Sequence, residues 1–220
     1  MIPHFRNQAL LITALTHRSA LNEKLSTSEE SNERLEFLGD AVLELATTQY
    51  LYHHFPQDPE GVLTAYRSAL VKTTTLAEAA LELGLGEQLY MSKGEEATGG
   101  RQNVSLLADT IEAIIGALYL DQGFEAAYEF LQDHLFPKFI KIKQQKLYKD
   151  SKSQLQELVQ SKGLDAPHYE VINEVGPDHE KEFTIQVLIA GQIQGSGSGK
   201  SKQQAQQAAA TVALEKFAAE

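Results

Sequence analysis

The apolar residues of this chain change their period once along its 220 residues, and that change dictates two separately built cores. Up to residue 140 they recur at helical spacing, in Leu10, Leu11, Ala14 and Leu15, in Leu35, Leu38, Val42 and Leu45, and in Leu63, Tyr66, Leu70 and Val71. Pro56 and Pro59, Gly84 and Gly86, Gly94 with Gly99 and Gly100, and Pro137 punctuate these stretches. Alternation at period two begins only after residue 165, in Tyr169, Val171 and Val175 and then in Phe183, Ile185, Val187 and Ile189.

Residues 1–140 are therefore expected to form an all-α domain, and residues 150–220 a small α+β domain of order α-β-β-β-α. In the second domain the spacing predicts a helix over 152–162 ended by Gly163, and strands joined by Gly176-Pro177-Asp178-His179 and by Ala190-Gly191. A third short strand from Ile193 and an alanine-rich helix over 201–218 complete it. Residues 141–149 read as a linker, inside a stretch from Lys138 to Lys149 that holds five lysines and no acid. No apolar run reaches the ~18 residues of a membrane span, and the N-terminal stretch lacks the order of a secretion signal. Without cysteine there is no disulfide framework, thiolate zinc ligand or cysteine nucleophile. The expectation is a soluble, cytoplasmic protein with no membrane partner. Its 19 basic and 30 acidic residues leave a net charge of -11, so any nucleic-acid contact has to be local.

Where that charge sits is informative. On a helix turning ~100° per residue, Glu33, Glu36, Asp40 and Glu44 fall within roughly an 80° arc. A solvated face usually mixes signs, and the nearby cation Arg34 is expected on the apolar side instead. Like charges one turn apart repel, so something cationic should face the stripe. A second segment, residues 106–116, is apolar nearly all round except for Asp109 and Glu112 at i, i+3, with Gly116 one turn beyond to permit close approach. Burying two ionised carboxylates costs several kcal/mol each unless a cation pairs with them. Either a Lys or Arg from another helix or a bound metal can supply it.

Bringing the two faces together gives an oxygen-only set from Glu36, Asp40, Asp109 and Glu112. Ligation without His or Cys favours Mg²⁺, with Mn²⁺ as a substitute, over zinc or copper. Di-iron bundles need a His three residues after Glu, and Gly39 and Ile115 hold those places. Magnesium in a carboxylate set suits hydrolytic phosphoryl transfer.

Asn32-Glu33-Arg34-Leu35-Glu36-Phe37-Leu38-Gly39-Asp40-Ala41 resembles the signature of ribonuclease III, and Leu107-Ala108-Asp109-Thr110-Ile111-Glu112-Ala113 resembles its second metal-binding segment. Glu60-Gly61-Val62-Leu63-Thr64 and the stretch from Gly94 to Arg101 also fit, so the resemblance covers nearly all of residues 1–140. It implies a homodimeric, Mg²⁺-dependent endonuclease that hydrolyses phosphodiester bonds of double-stranded RNA. The products would carry 5′-phosphates, 3′-hydroxyls and short 3′ overhangs, in processing of rRNA and other RNA. By the same resemblance Glu36, Asp40, Asp109 and Glu112 are the metal and catalytic set, Glu60 supports catalysis, and Glu33 and Phe37 belong to the dimer interface. An acid at Glu60, near a helix start, is also favoured by the helix dipole alone. His17 is expected to hold the N-terminal fold by hydrogen bonds. The competing reading is a noncatalytic double-stranded-RNA-binding scaffold, against which the uncompensated acids count.

Gly195-Ser196-Gly197-Ser198-Gly199-Lys200-Ser201 invites a phosphate-binding-loop reading that fails on spacing, because Gln194 stands where the first glycine should be. No nucleotide cofactor is expected. A glycine-rich turn entering a helix near Lys200, Ser201 and Lys202 still offers N–H groups and cations to a phosphate backbone. With the order helix, three strands, helix, the segment resembles a double-stranded-RNA-binding domain, a module that reads A-form shape. The resemblance implies that Gln154, Glu157 and His179 face minor grooves while Lys200 and Lys202 face phosphates. Gln203, Gln204, Gln206 and Gln207 stand where that family usually carries more lysines. Residues 150–220 hold six Lys and ten acids, a net charge of -4.

Overall fold

Helical spacing in the first two thirds of the chain becomes ten α-helices in the computed structural model, which describes residues 2–145, 147, 148, 150–177 and 181–218. They are α1 (Gln8–Ala14), α2 (Arg18–Glu23), α3 (Glu33–His54), α4 (Glu60–Leu70), α5 (Thr73–Glu82), α6 (Leu85–Gln88), α7 (Lys93–Ala97), α8 (Val104–Gln122), α9 (Phe124–His134) and α10 (Lys138–Gln144). Side chains that compete for backbone N–H groups mark several starts: Asn7 accepts from Ala9, Ser92 from Glu95, and Asn103 from both Ser105 and Leu106. α8 ends at Gly123, whose φ of 88° few residues other than glycine tolerate.

α8 is the axis of the first unit. Leu107, Ile111, Ile114, Ile115 and Leu118 are buried along it, against Leu35, Leu43 and Leu51 of α3 and Leu76 and Ala80 of α5. α3 and α8 meet backbone to backbone at a pair of glycines. A Cβ on Gly39 would collide with the Glu112 carbonyl oxygen and lie 2.9 Å from Gly116 N. One on Gly116 would collide with the Leu35 carbonyl oxygen and lie 3.0 Å from Gly39 N.

The chain divides into Met1–Tyr148 and Lys149–Glu220. Part of the stretch expected to be a linker is instead helix: α10 runs to Gln144 and buries Phe139 and Ile142 in the first core. Two of its three lysines are engaged there, Lys138 on Glu82 at 2.6 Å and Lys143 over the Phe55 ring at 4.2 Å. Apolar spacing within residues 139–142 outweighs lysine content in deciding where this segment packs.

The second unit comprises α11 (Ser151–Ser161), an antiparallel sheet of β1 (His168–Val175), β2 (Glu182–Ile189) and β3 (Gln192–Gly199) in that order, and α12 (Lys202–Ala218). Leu155 and Val159, Val187 and Ile189, and Ala209, Ala210 and Ala213 form its core. Ala190 and Gly191 both take positive φ, 49° and 75°, as a tight two-residue hairpin requires. The expected glycine-rich turn proves to be strand. Gly195, Gly197 and Gly199 project from one face of β3, where a Cβ would lie 2.8 Å from Ala213 N, 2.5 Å from Ala208 Cβ and 2.7 Å from Gln204 Cβ respectively. The glycines let an alanine-faced helix lie directly on the sheet.

Candidate active site

Because α3 and α8 touch at Gly39 and Gly116, acids in the one or two turns preceding each glycine are brought together. Glu36, Asp109 and Glu112 each present a carboxylate oxygen within 4.8 Å of the others. Asp40, on the far side of Gly39, is exposed and lies outside that trio, yet it acts on Glu112 through its charge. Burial pushes Glu112 up to about 8, and Asp40, Asp109 and Glu36 push the same way. Asp109 and Glu36 are also raised, chiefly by burial, with His17 opposing the shift at Asp109.

Cations reach the ends of the acid stripe and miss its middle. Arg18 lies 3.6 Å from Glu33, and Arg67 of α4 lies 2.9 Å from Glu44 while donating to Thr48. Arg34 does not turn to the apolar side; it is exposed and lies 3.6 Å from Glu30. Among the described residues, no Lys or Arg forms an ion pair with Glu36, Asp40, Asp109 or Glu112. Three convergent oxygens, half-buried and without a protein cation, form a donor set that fits a hard divalent ion. A cleft of about 200 Å³ opens against Glu36 and Asp109, with His17 and Arg18 on its wall. His17 caps α2: its Nδ1 accepts from Ser19 N at 3.3 Å and its own N–H donates to the Tyr90 carbonyl, which is a fold-holding role.

The other expected residues do not belong to the trio. Glu60 is the first residue of α4 and accepts from Thr64 Oγ1 at 3.0 Å. Phe37 is 83% exposed on α3, in a stripe of exposed apolar side chains continued by Leu45 and Tyr52. In the second unit Gln154 is half-buried and Glu157 exposed on α11, and His179 lies outside the described residues. Lys200 donates its backbone N–H to Gln204, while the Lys202 side chain pairs with Glu174 at 3.2 Å. Gln206 and Gln207 are internal clamps, taking Lys152 Nζ at 2.6 Å and donating to Asp150 at 2.8 Å. The parts played by Gly39 and Arg67 were not evident in the sequence; the glycine lying between Glu36 and Asp40 was the available signal for the first.

Fold and site together define a helical unit with a carboxylate centre, followed by a module of order α-β-β-β-α. Residues 7–139 match the Ribonuclease-III-like family and residues 151–217 the double-stranded RNA binding motif. The chain is 51% identical over 213 residues to ribonuclease 3 of Anoxybacillus flavithermus, covering 97% of this chain and 89% of that one. It is 48% identical over 210 residues to ribonuclease 3 of Halalkalibacterium halodurans, covering 96% and 80%. The crystal structure of the nuclease domain of ribonuclease III from Campylobacter jejuni superposes with a TM-score of 0.56 at 45% identity, covering 62% of this chain and 88% of that one. The chain belongs to the ribonuclease III family. That family uses divalent metal ions, in keeping with the acidic trio.

Proposed function

We propose that this chain, a double-strand-specific endoribonuclease by family, cuts with Glu36, Asp40, Asp109 and Glu112 around Mg²⁺. The observation that carries the reading is the carboxylate trio set at the Gly39–Gly116 crossing, with which no Lys or Arg among the described residues forms an ion pair. Glu36, Asp109 and Glu112 would hold the metal, with Asp40 at the exposed edge where water and the scissile phosphate arrive. When bound, such a metal polarises a phosphoryl oxygen and lowers the pKa of coordinated water. The chain's own contribution is placement: two helices hold the acids, and burial raises the affinity of Glu112, Asp109 and Glu36 for a proton or a cation. A scaffold that only bound RNA would gain nothing from acids held at this cost.

Two copies would supply two cutting centres across a two-fold axis, giving staggered cuts with short 3′ overhangs, 5′-phosphates and 3′-hydroxyls. The exposed stripe of Phe37, Leu45 and Tyr52, with Glu33 beside it, supports pairing through α3. A second Campylobacter jejuni structure of that nuclease domain, also 45% identical with a TM-score of 0.56, describes flexibility in a region involved in its dimer formation. Among the described residues no helix is long and apolar enough to cross a membrane, and a cytoplasmic role in processing rRNA and other RNA is consistent with a cysteine-free chain.

Incubating the protein with a long RNA duplex and Mg²⁺, and mapping the product ends, tests this. Expected are short duplexes with 5′-phosphates and 3′ overhangs, and no cutting with a chelator. Cleavage that persists in chelator, or blunt products, would reject it.

A further inference from the structure

Lys202 opens α12, where the RNA-binding reading needs a free cation, and it is already holding an anion. Its Nζ lies 3.2 Å from Glu174 Oε1 and 5.4 Å from the centre of the Phe183 ring. The second oxygen of Glu174 lies 3.6 Å from Lys181 Nζ. The sheet register builds this cluster. Glu174 faces Phe183 across β1 and β2, and Phe183 faces Gly199 across β2 and β3, so all three lie at the end of the sheet where α12 begins. The hydrogen bond from Lys202, aided by the charges of Lys202 and Lys181, holds the Glu174 carboxyl below its ordinary range. A carboxylate spanning two ammonium groups beside a helix start presents the charge and acceptor oxygens that a backbone phosphate would bring.

We propose that Glu174 is an internal phosphate surrogate: it occupies the cations of the RNA-binding edge, and a duplex has to displace it from Lys202 and Lys181 to bind. The proposal rests on the reading that the second unit meets RNA phosphate through Lys202. Capture then exchanges one ion pair for another instead of neutralising a bare phosphate. Affinity is lower, and its salt dependence shallower, than the lysines alone would give. This device adds to the effect of Gln206 and Gln207, which stand where further lysines are usual and are committed to Lys152 and Asp150.

Duplex affinity measured across a salt series with full-length protein, divalent ions chelated, tests it in wild type, Glu174→Gln, Lys202→Gln and the double variant. Glu170→Gln removes the same charge from the same strand and serves as control, since Glu170 contacts Gln186 and His168 rather than a lysine. Glu174→Gln should tighten binding roughly two- to five-fold at low salt, the scale of an exposed ion pair. It should also steepen the slope of log affinity against log salt by roughly 0.7 to 0.9 for each phosphate contact regained. Lys202→Gln should weaken binding, and in that background Glu174→Gln should gain less than it does alone. If Lys202→Gln weakens binding while Glu174→Gln does no more than Glu170→Gln, the surrogate is refuted and the RNA reading stands. If Lys202→Gln binds like wild type, Lys202 does not meet phosphate and both fall.

Discussion

Which cation reaches a carboxylate decides what that carboxylate does in this chain. Arg18 and Arg67 take Glu33 and Glu44, Lys202 takes Glu174, and Glu36, Asp109 and Glu112 are left facing one another. The arc of four acids was legible from one helix's periodicity. The sorting of that arc was not, because Arg67 arrives from α4, and periodicity within a helix carries no information about its neighbours. Asp150 shows a further use, as the cap of α11. Burial alone would raise its carboxyl, but the Ser153 N–H and the Gln207 amide, with Lys152 nearby, outweigh burial and hold it below the ordinary range. An unfolded chain therefore takes up this proton before the folded one does. The stabilisation is complete above the ordinary carboxylate range and disappears as pH falls through it to the depressed folded value. Asp150→Ala should cost about 1 kcal/mol at neutral pH, the usual worth of such a cap. Asp150→Asn, which can still cap, should lose only the charge-dependent part, so its gap from wild type should close on acidification. Hydrogen exchange of the β2 amides reads both, and a gap independent of pH would contradict the assignment.

Two close approaches permitted by glycine organise the elements. At the α3–α8 crossing, Gly39 and Gly116 let Glu36, Asp109 and Glu112 come within reach of each other. Substituting alanine at Gly39 drives a methyl into the Glu112 carbonyl and should separate the helices, destabilising the first unit by roughly 1–3 kcal/mol. The loss of activity should exceed the loss of folded protein, since a misplacement of about 1 Å costs on the order of a hundred-fold in rate. Denaturant unfolding and cleavage at saturating duplex measure the two effects, and a wild-type rate in folded Gly39→Ala would show that this contact does not set the site. Gly116 was legible as a place of close approach because it sits one turn from Glu112. A third strand from Ile193 was legible, but its run through the glycines was not: Gly195, Gly197 and Gly199 alternate at period two, yet glycine has no side chain to register as the buried face. Only the alanines of α12 reveal what that face packs against.

Across the whole molecule, the single change of hydrophobic period made both architectures legible, since period 3.6 and period 2 bury incompatible faces. The lysine stretch was less so, because Phe139 and Ile142 carry its first part into the nuclease core despite the charge around them. Substrate capture and chemistry are assigned to different units, which makes them separable by experiment. Asp40→Asn and Glu112→Gln preserve size while each removes a carboxylate charge from the proposed centre, and both lie far along the chain from the second unit. The most direct measurement follows duplex binding and duplex cleavage side by side for these two variants and wild type in Mg²⁺. Both variants should bind duplex within a few-fold of wild type and leave it uncut over times in which wild type completes the reaction; near wild-type cleavage by either, at saturating duplex, would contradict the assignment of the chemistry to this carboxylate centre.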